Sequence, residues 1–217
     1  MNKLIRSKVI INKLEILYPE TPVPLNHKNV FTLLVAVVLS AQSTDKKVNE
    51  LTLDLFEKAS TPSAMYKLGE LKIYNYIKQL GLAKTKARNV YNLSKFIDSK
   101  FHGEVPKNFK DLESLPGVGH KTSSVVLAQA FGIPTFPVDT HIHRLAQRWK
   151  LTDGSSVKST ERDLKNIFPK HLWNKLHLQM IFYGREFCTA KGCDGRKCEL
   201  CRELFPKRKV KFIHKKA

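Results

Sequence analysis

The chain has 217 residues, enough for one large domain or two smaller ones, and its 42% hydrophobic content excludes wholesale disorder. Thirty-eight Lys and Arg against 19 Asp and Glu leave a formal charge of +19, which favours a polyanionic partner through release of counterions condensed on phosphates. The charged start Met1-Asn2-Lys3-Leu4-Ile5-Arg6 excludes a signal peptide there, and the longest apolar run, 30–39, is about half of a membrane span. The expectation is a soluble intracellular protein (cytoplasm or nucleoid if bacterial), monomeric, with no membrane partner.

Residues 3–17 carry Leu4, Val9, Ile10, Leu14 and Leu17 at roughly helical spacing, which predicts a basic amphipathic helix. Pro19, Pro22 and Pro24 end it. Asn29 is placed to cap an apolar helix over 30–39, which reads as buried. Further helices are predicted near 45–58, 63–66, 70–79, 84–100 and 108–114, with Gly81 and Gly103 at helix ends. A helix of about ten residues starts near Thr122, and Asp139 can cap another at Thr140. No convincing strand pairs or hairpin dipeptides appear, so the class is all-α. Pro134 and Pro137 flank the best boundary between a middle and a C-terminal helical domain, and a basic tail covers 206–211.

The densest motif is Leu115-Pro116-Gly117-Val118-Gly119-His120-Lys121-Thr122. Glycines permit a tight turn with unhindered backbone N–H groups, and a helix starting at once adds the positive end of its dipole. Helix, Gly-rich hairpin, helix is a clamp for phosphate that reads no sequence. Lys121 lies in the first turn of the second helix, where a cation is disfavoured; this should lower its proton affinity and suit it as a nucleophile. Position alone equally allows Lys121 to reach a phosphate. Asp139, in Pro137-Val138-Asp139-Thr140-His141, favours the nucleophile, because the intervening chain is long enough to return the carboxylate beside the amine. The lysine would then attack a sugar carbon while the carboxylate manages protons.

Cys188, Cys193, Cys198 and Cys201 follow C-x4-C-x4-C-x2-C, and no cysteine precedes them. Their confinement to the last 30 residues argues against a disulfide framework. Four thiolates so close in sequence can enclose one metal centre, either tetrahedral zinc or an iron–sulfur cube. Lys191, Arg196 and Lys197 lie in the intervening loops, so such a centre would hold them toward a DNA backbone.

The hairpin motif followed by Val138-Asp139-Thr140-His141 resembles the endonuclease III family of helix-hairpin-helix DNA glycosylases. Leu39-Ser40-Ala41-Gln42-Ser43-Thr44-Asp45 and Gly81-Leu82-Ala83-Lys84-Thr85-Lys86-Ala87 resemble two of that family's loops, and the likeness spans about residues 5–201. It implies two domains with the DNA groove between them: a six-helix barrel over 22–136, and a terminal domain from 1–21 and 137–217. The implied partner is duplex DNA with damaged bases or abasic sites, and the implied activity is bifunctional. Lys121 would attack C1′ of an oxidised pyrimidine nucleotide and form a Schiff base whose β-elimination nicks the strand, with Asp139 assisting base loss. Gln42 would fill the space of the flipped base, Leu82 would wedge into the opposite strand, and Lys84, Gly117, Val118 and Gly119 would contact DNA. The family also implies a [4Fe-4S] cluster, but with spacing C-x6-C-x2-C-x5-C. Here Cys193 is additional and Lys207 replaces the last cysteine, so a cube on all four cysteines is expected, with zinc or no metal as alternatives. His120 departs from the family's usual Arg, and Ser123 and Ser124 from its small apolar or amide residues. Two rivals remain: an oxidised-guanine glycosylase/lyase of the same superfamily, and a non-catalytic hairpin module that only binds DNA.

Overall fold

The computed structural model describes residues 1–216. Among them, twelve α-helices and one short 3-10 turn make up all regular structure, and there is no strand, as the periodicity predicts. The chain divides into two compact units, one of residues 23–133 and one joining 1–22 to 134 onward.

The 23–133 unit holds α2 (Val30–Ser40), α3 (Asp45–Lys58), α4 (Pro62–Leu68), α5 (Glu70–Ile77), α6 (Ala83–Lys100), α7 (Phe109–Glu113) and α8 (His120–Phe131). α2 starts with a capping box, in which Asn29 Oδ1 accepts the Thr32 N–H and Thr32 Oγ1 accepts the Asn29 N–H, both at 2.9 Å. Residues 31–39 are all buried because α8, α3 and α6 pack around this helix. α4 and α5 pack on α6, completing one hydrophobic core. Thr61 caps α4 and Pro62 serves as its first residue, so α4 runs longer than the predicted 63–66; proline blocks a helix interior but suits its start. α6 ends at Phe101, and Gly103 at φ +82° lets its N–H return to Ile97 O at 3.1 Å.

The second unit holds α1 (Lys3–Leu17), α9 (Thr140–Arg148), α10 (Val157–Ile167), the 3-10 turn Lys170–Leu172, α11 (Trp173–Glu186) and α12 (Glu199–Leu204). α11 packs against α9 and α1 over a core of Ile10, Leu14, Phe136, Trp149, Phe168 and Tyr183. The buried face of α1 is Arg6, Ser7, Ile10 and Leu14, while Leu4 is 61% exposed. The apolar stripe expected there is thus displaced by a buried arginine, which donates to Lys150 O at 2.8 Å and to Met1 O. α9 is buried on every side from Ile142 to Arg148, so its polar side chains must find internal partners.

Candidate nucleic-acid interface and cysteine centre

The hairpin between α7 and α8 is built by two different glycines. Gly117 sits at φ +78°, and a Cβ there would come within 2.6 Å of the Asn89 side chain on α6, so only glycine fits. Gly119 is extended at φ −100°, ψ −179°, and a Cβ there would meet nothing within 4 Å. The fold does not require glycine at 119. Val118 between them is buried and its N–H bonds Leu115 O at 3.1 Å, which anchors the turn. His120 stacks on Phe109 with ring centroids 5.1 Å apart and contacts Glu113 Oε1 at 2.9 Å through Nδ1, joining α8 to α7. Gly119, the N-cap of α8, has no side chain with which to cap the first turn of the helix. Lys121 is exposed in that first turn.

Two loops of the same unit meet beside each other. Gln42 follows α2 at φ +54° and Leu82 precedes α6 at φ +60°, both exposed and both left-handed without being glycine. Leu82 therefore combines a strained backbone with a side chain 60% open to water, neither of which stabilises the fold. A Cβ on Gly81 would lie 3.8 Å from Gln42 O, so the backbones are close. Lys86, 4% exposed on α6, ties them by donating from Nζ to Ser43 Oγ at 2.8 Å, and burial lowers its pKa from the ordinary 10.5. The sequence reading did not single out Lys86. Lys84, by contrast, is exposed near the start of α6.

Asp139 belongs to the other compact unit from Lys121. It is half-buried and caps α9, its Oδ1 accepting the Ile142 N–H at 2.8 Å. Burial lowers the pKa of the neighbouring His141, against the Asp139 charge, which raises it.

The four cysteines are brought together, all buried, with their sulfurs within 4.8 Å of one another and Cys188 Sγ 3.9 Å from Cys201 Sγ. Burial and close S···S contacts couple the protonation of the four thiols, so they titrate as one group. Four sulfurs tetrahedrally bound to one zinc at about 2.3 Å lie about 3.8 Å apart. A cube sets each thiolate on its own iron and needs a wider spread. The quartet therefore suits one four-coordinate ion as it stands, and would have to widen around a cube.

Two buried arginines on α9, which the sequence reading passed over, support this loop. Arg144 donates to Gly184 O at 2.9 Å and to Cys188 O at 3.1 Å. Arg148 donates from Nη1 to Thr189 O at 2.9 Å and to Cys188 Sγ at 3.2 Å. Their separation by four residues was the available signal, since it puts both on one helix face. Arg196 is exposed, and its guanidinium donates to Asp194 and to Lys209 O. Lys191 and Lys197 are exposed and help line a cavity of about 560 Å³ with Lys211 and His214.

Residues 35–170 match the HhH-GPD superfamily of base excision DNA repair proteins. Endonuclease III of Treponema pallidum (strain Nichols) is 44% identical over 205 residues, covering 92% of this chain and 97% of that protein. Among solved structures, a non-covalent endonuclease III–DNA complex superposes with TM-score 0.88 at 38% identity, covering 95% of this chain and 98% of the other. A trapped endonuclease III–DNA covalent intermediate gives TM-score 0.85 at 37% identity, covering 94% and 98%.

Proposed function

The chain belongs to the HhH-GPD superfamily of base excision DNA repair proteins, in its endonuclease III family, and on that basis we propose that it excises oxidised pyrimidines from duplex DNA and then nicks the strand. The observation that carries this reading is the hairpin: an open Gly119 backbone at the N-terminus of α8, without an N-cap side chain, beside the exposed amine of Lys121. A phosphate held by those amides brings the sugar of an extruded nucleotide to the lysine. Lys121 Nζ, once neutral, attacks C1′, and the C1′–N bond to the damaged base breaks with its electron pair leaving on the base. Asp139 assists that departure, and its bond to the α9 N-terminus fixes the carboxylate's direction. The lysine nitrogen, having shed a proton, then forms the C1′=N bond as the C1′–O4′ bond breaks and O4′ takes up a proton; loss of a proton from C2′ of that Schiff base expels the 3′ phosphate. That a related endonuclease III has been trapped covalently on DNA supports this route.

Gln42 is read as the residue that occupies the vacated base position and Leu82 as the wedge; their exposed, left-handed conformations support this reading. Residues 23–133 are read as the barrel domain, and the joined chain ends as the domain bearing the cysteines. Family resemblance would give the quartet a [4Fe-4S] cube; the excision chemistry assigned to Lys121 and Asp139 does not pass through that centre.

Borohydride trapping on thymine-glycol DNA tests the reading, because only a Schiff base is reduced to a permanent crosslink. Wild-type protein should crosslink, and Lys121→Gln should lose crosslinking and nicking while retaining DNA affinity. Crosslinking by Lys121→Gln at the wild-type rate would move the nucleophile elsewhere. A wild type that binds without crosslinking or base release would leave only the DNA-binding module. Preference for oxidised guanine over thymine glycol would select the alternative glycosylase.

A further inference from the structure

We propose that Cys188, Cys193, Cys198 and Cys201 form a tetrahedral site for a single ion, with zinc as its occupant, in place of the family's iron–sulfur cube. The first observation is the width of the quartet. Sulfurs no more than 4.8 Å apart close on one ion with movements of about 1 Å or less, given an ideal separation of about 3.8 Å. Four irons and four sulfides require the thiolates to move in the opposite direction.

The second observation is that the loop bearing Cys193 is held on both sides against such widening. On its inner side, Arg144 and Arg148 fix the backbone of residues 188–190 from α9. On its outer side, the segment after α12 runs back over the loop. Phe212 N–H donates to Asp194 O at 2.9 Å, Arg208 Nη1 to Gly195 O at 2.8 Å, and Arg196 Nη1 to Lys209 O at 2.8 Å. The packing there is tight: a Cβ on Gly195 would meet Arg208 Nη1 at 2.7 Å and Phe212 Cβ at 3.0 Å. The neighbouring cavity touches only Cys193 of the four, so it is a flank of the site rather than space inside it.

The third observation is how the chain supplies its ligands. Cys193 enters from within a short turn, where its N–H reaches Thr189 O at 3.4 Å and its Sγ accepts the Gly195 N–H at 3.4 Å. Lys207 stands where the family's last cysteine would be, and the next residue, Arg208, ties the segment down instead. Four thiolates on a divalent ion leave two negative charges. Arg148 Nη1, already 3.2 Å from Cys188 Sγ, and the buried Arg144 behind it supply positive charge at that point. The ion would fix the loop that presents Lys191 and Lys197, a role requiring geometry and no electron transfer.

The test uses the full chain expressed with iron and zinc both supplied and purified without air, so that a cube would survive. Metal and acid-labile sulfide are counted, and the ion is exchanged for cobalt. The expected result is about one zinc per chain, no labile sulfide, and a cobalt form with the absorption of a tetrahedral thiolate site. About four irons with matching sulfide would overturn the proposal, as would protein free of metal. Cys193→Ser should release zinc to a chelator that the wild type resists; unchanged retention would remove Cys193 from the ligand set and overturn it too. None of these readouts depends on base excision, so they stand apart from the trapping assay on Lys121.

Discussion

Gly117 and Gly119 lie two residues apart in one hairpin, yet alanine should act at each through a different quantity. At Gly117 the backbone is left-handed, which costs an alanine about 1–2 kcal/mol. The added methyl also strikes the Asn89 side chain, and overpacking of that kind adds about 1–3 kcal/mol. Gly117→Ala should therefore lose about 2–5 kcal/mol of folding stability. At Gly119 the backbone is extended and the methyl would meet nothing. Alanine is a poorer N-cap than glycine by about 0.5–1 kcal/mol, and lowering the entropy of the unfolded chain offsets about 0.4–1 kcal/mol, so Gly119→Ala should stay within about 0.5 kcal/mol of wild type. If a phosphate presses against this backbone, however, the methyl displaces it. Loss of one amide–phosphate hydrogen bond, about 1.5–3 kcal/mol, weakens binding about 10–100-fold. Urea unfolding and fluorescence anisotropy on abasic-site duplex, both at one fixed salt concentration, separate the two effects. A Gly119→Ala protein that binds as tightly as wild type would refute the assignment of this turn as a phosphate clamp.

Three other substitutions probe the rest of the site. Asp139→Asn should slow base release by about 10²-fold or more in single-turnover assays while leaving the urea midpoint in place, because Asn also caps a helix; unaltered release would leave Asp139 as a cap alone. Leu82→Gly should leave stability unchanged or raise it by up to about 1 kcal/mol by relieving the left-handed strain, yet weaken binding to lesion duplex, and a variant equal to wild type on DNA would remove the wedge. Lys86→Met should weaken lesion binding about tenfold through loosening of the Gln42 loop, without lowering stability near neutral pH. Because the folded pKa of Lys86 lies below 10.5, its penalty is complete below the folded value and disappears as pH rises toward 10.5; wild-type stability should gain on the variant across that alkaline window, and parallel curves would refute the burial cost.

Features written in local sequence were the legible ones. Asn29 announced a helix start because a cap needs only its own next three residues. The apolar run over 30–39 announced a buried helix because seven successive apolar residues, 33–39, leave no polar face. The cysteine spacing announced a cluster, but its width depends on the segment that folds back over it, and that segment read as a plain basic tail. Lys86 and Arg6 escaped for a related reason. A charged residue at a helical position reads as surface, and only the folded chain supplies the Ser43 hydroxyl or the Lys150 carbonyl that allows its burial. α10 escaped because its capping box pairs Ser156 with Ser159 rather than with the Glu or Gln that marks the pattern in sequence.

The same distinction divides the +19 charge into two kinds of cation. Arg6, Lys86, Arg144 and Arg148 are buried, with donors on carbonyls, a hydroxyl or Cys188, and they hold no condensed counterions to exchange. Two of them lie beneath loops that carry exposed cations. Lys86 fixes the loop pair next to Lys84, and Arg148 fixes the backbone that leads into Lys191. Anchors and contacts should therefore separate in a salt titration. With about five phosphate contacts, log K should fall with a slope near −4.5 against log salt. Replacing an exposed contact such as Lys84 or Lys191 by Gln should reduce that slope by about 0.9. Lys86→Met should shift the whole line to weaker binding and leave the slope alone, since it alters where the loops sit and not how many phosphates they meet. A slope that falls equally for the buried and exposed substitutions would mean that Lys86 itself reaches DNA and that its bond to Ser43 is broken in the complex.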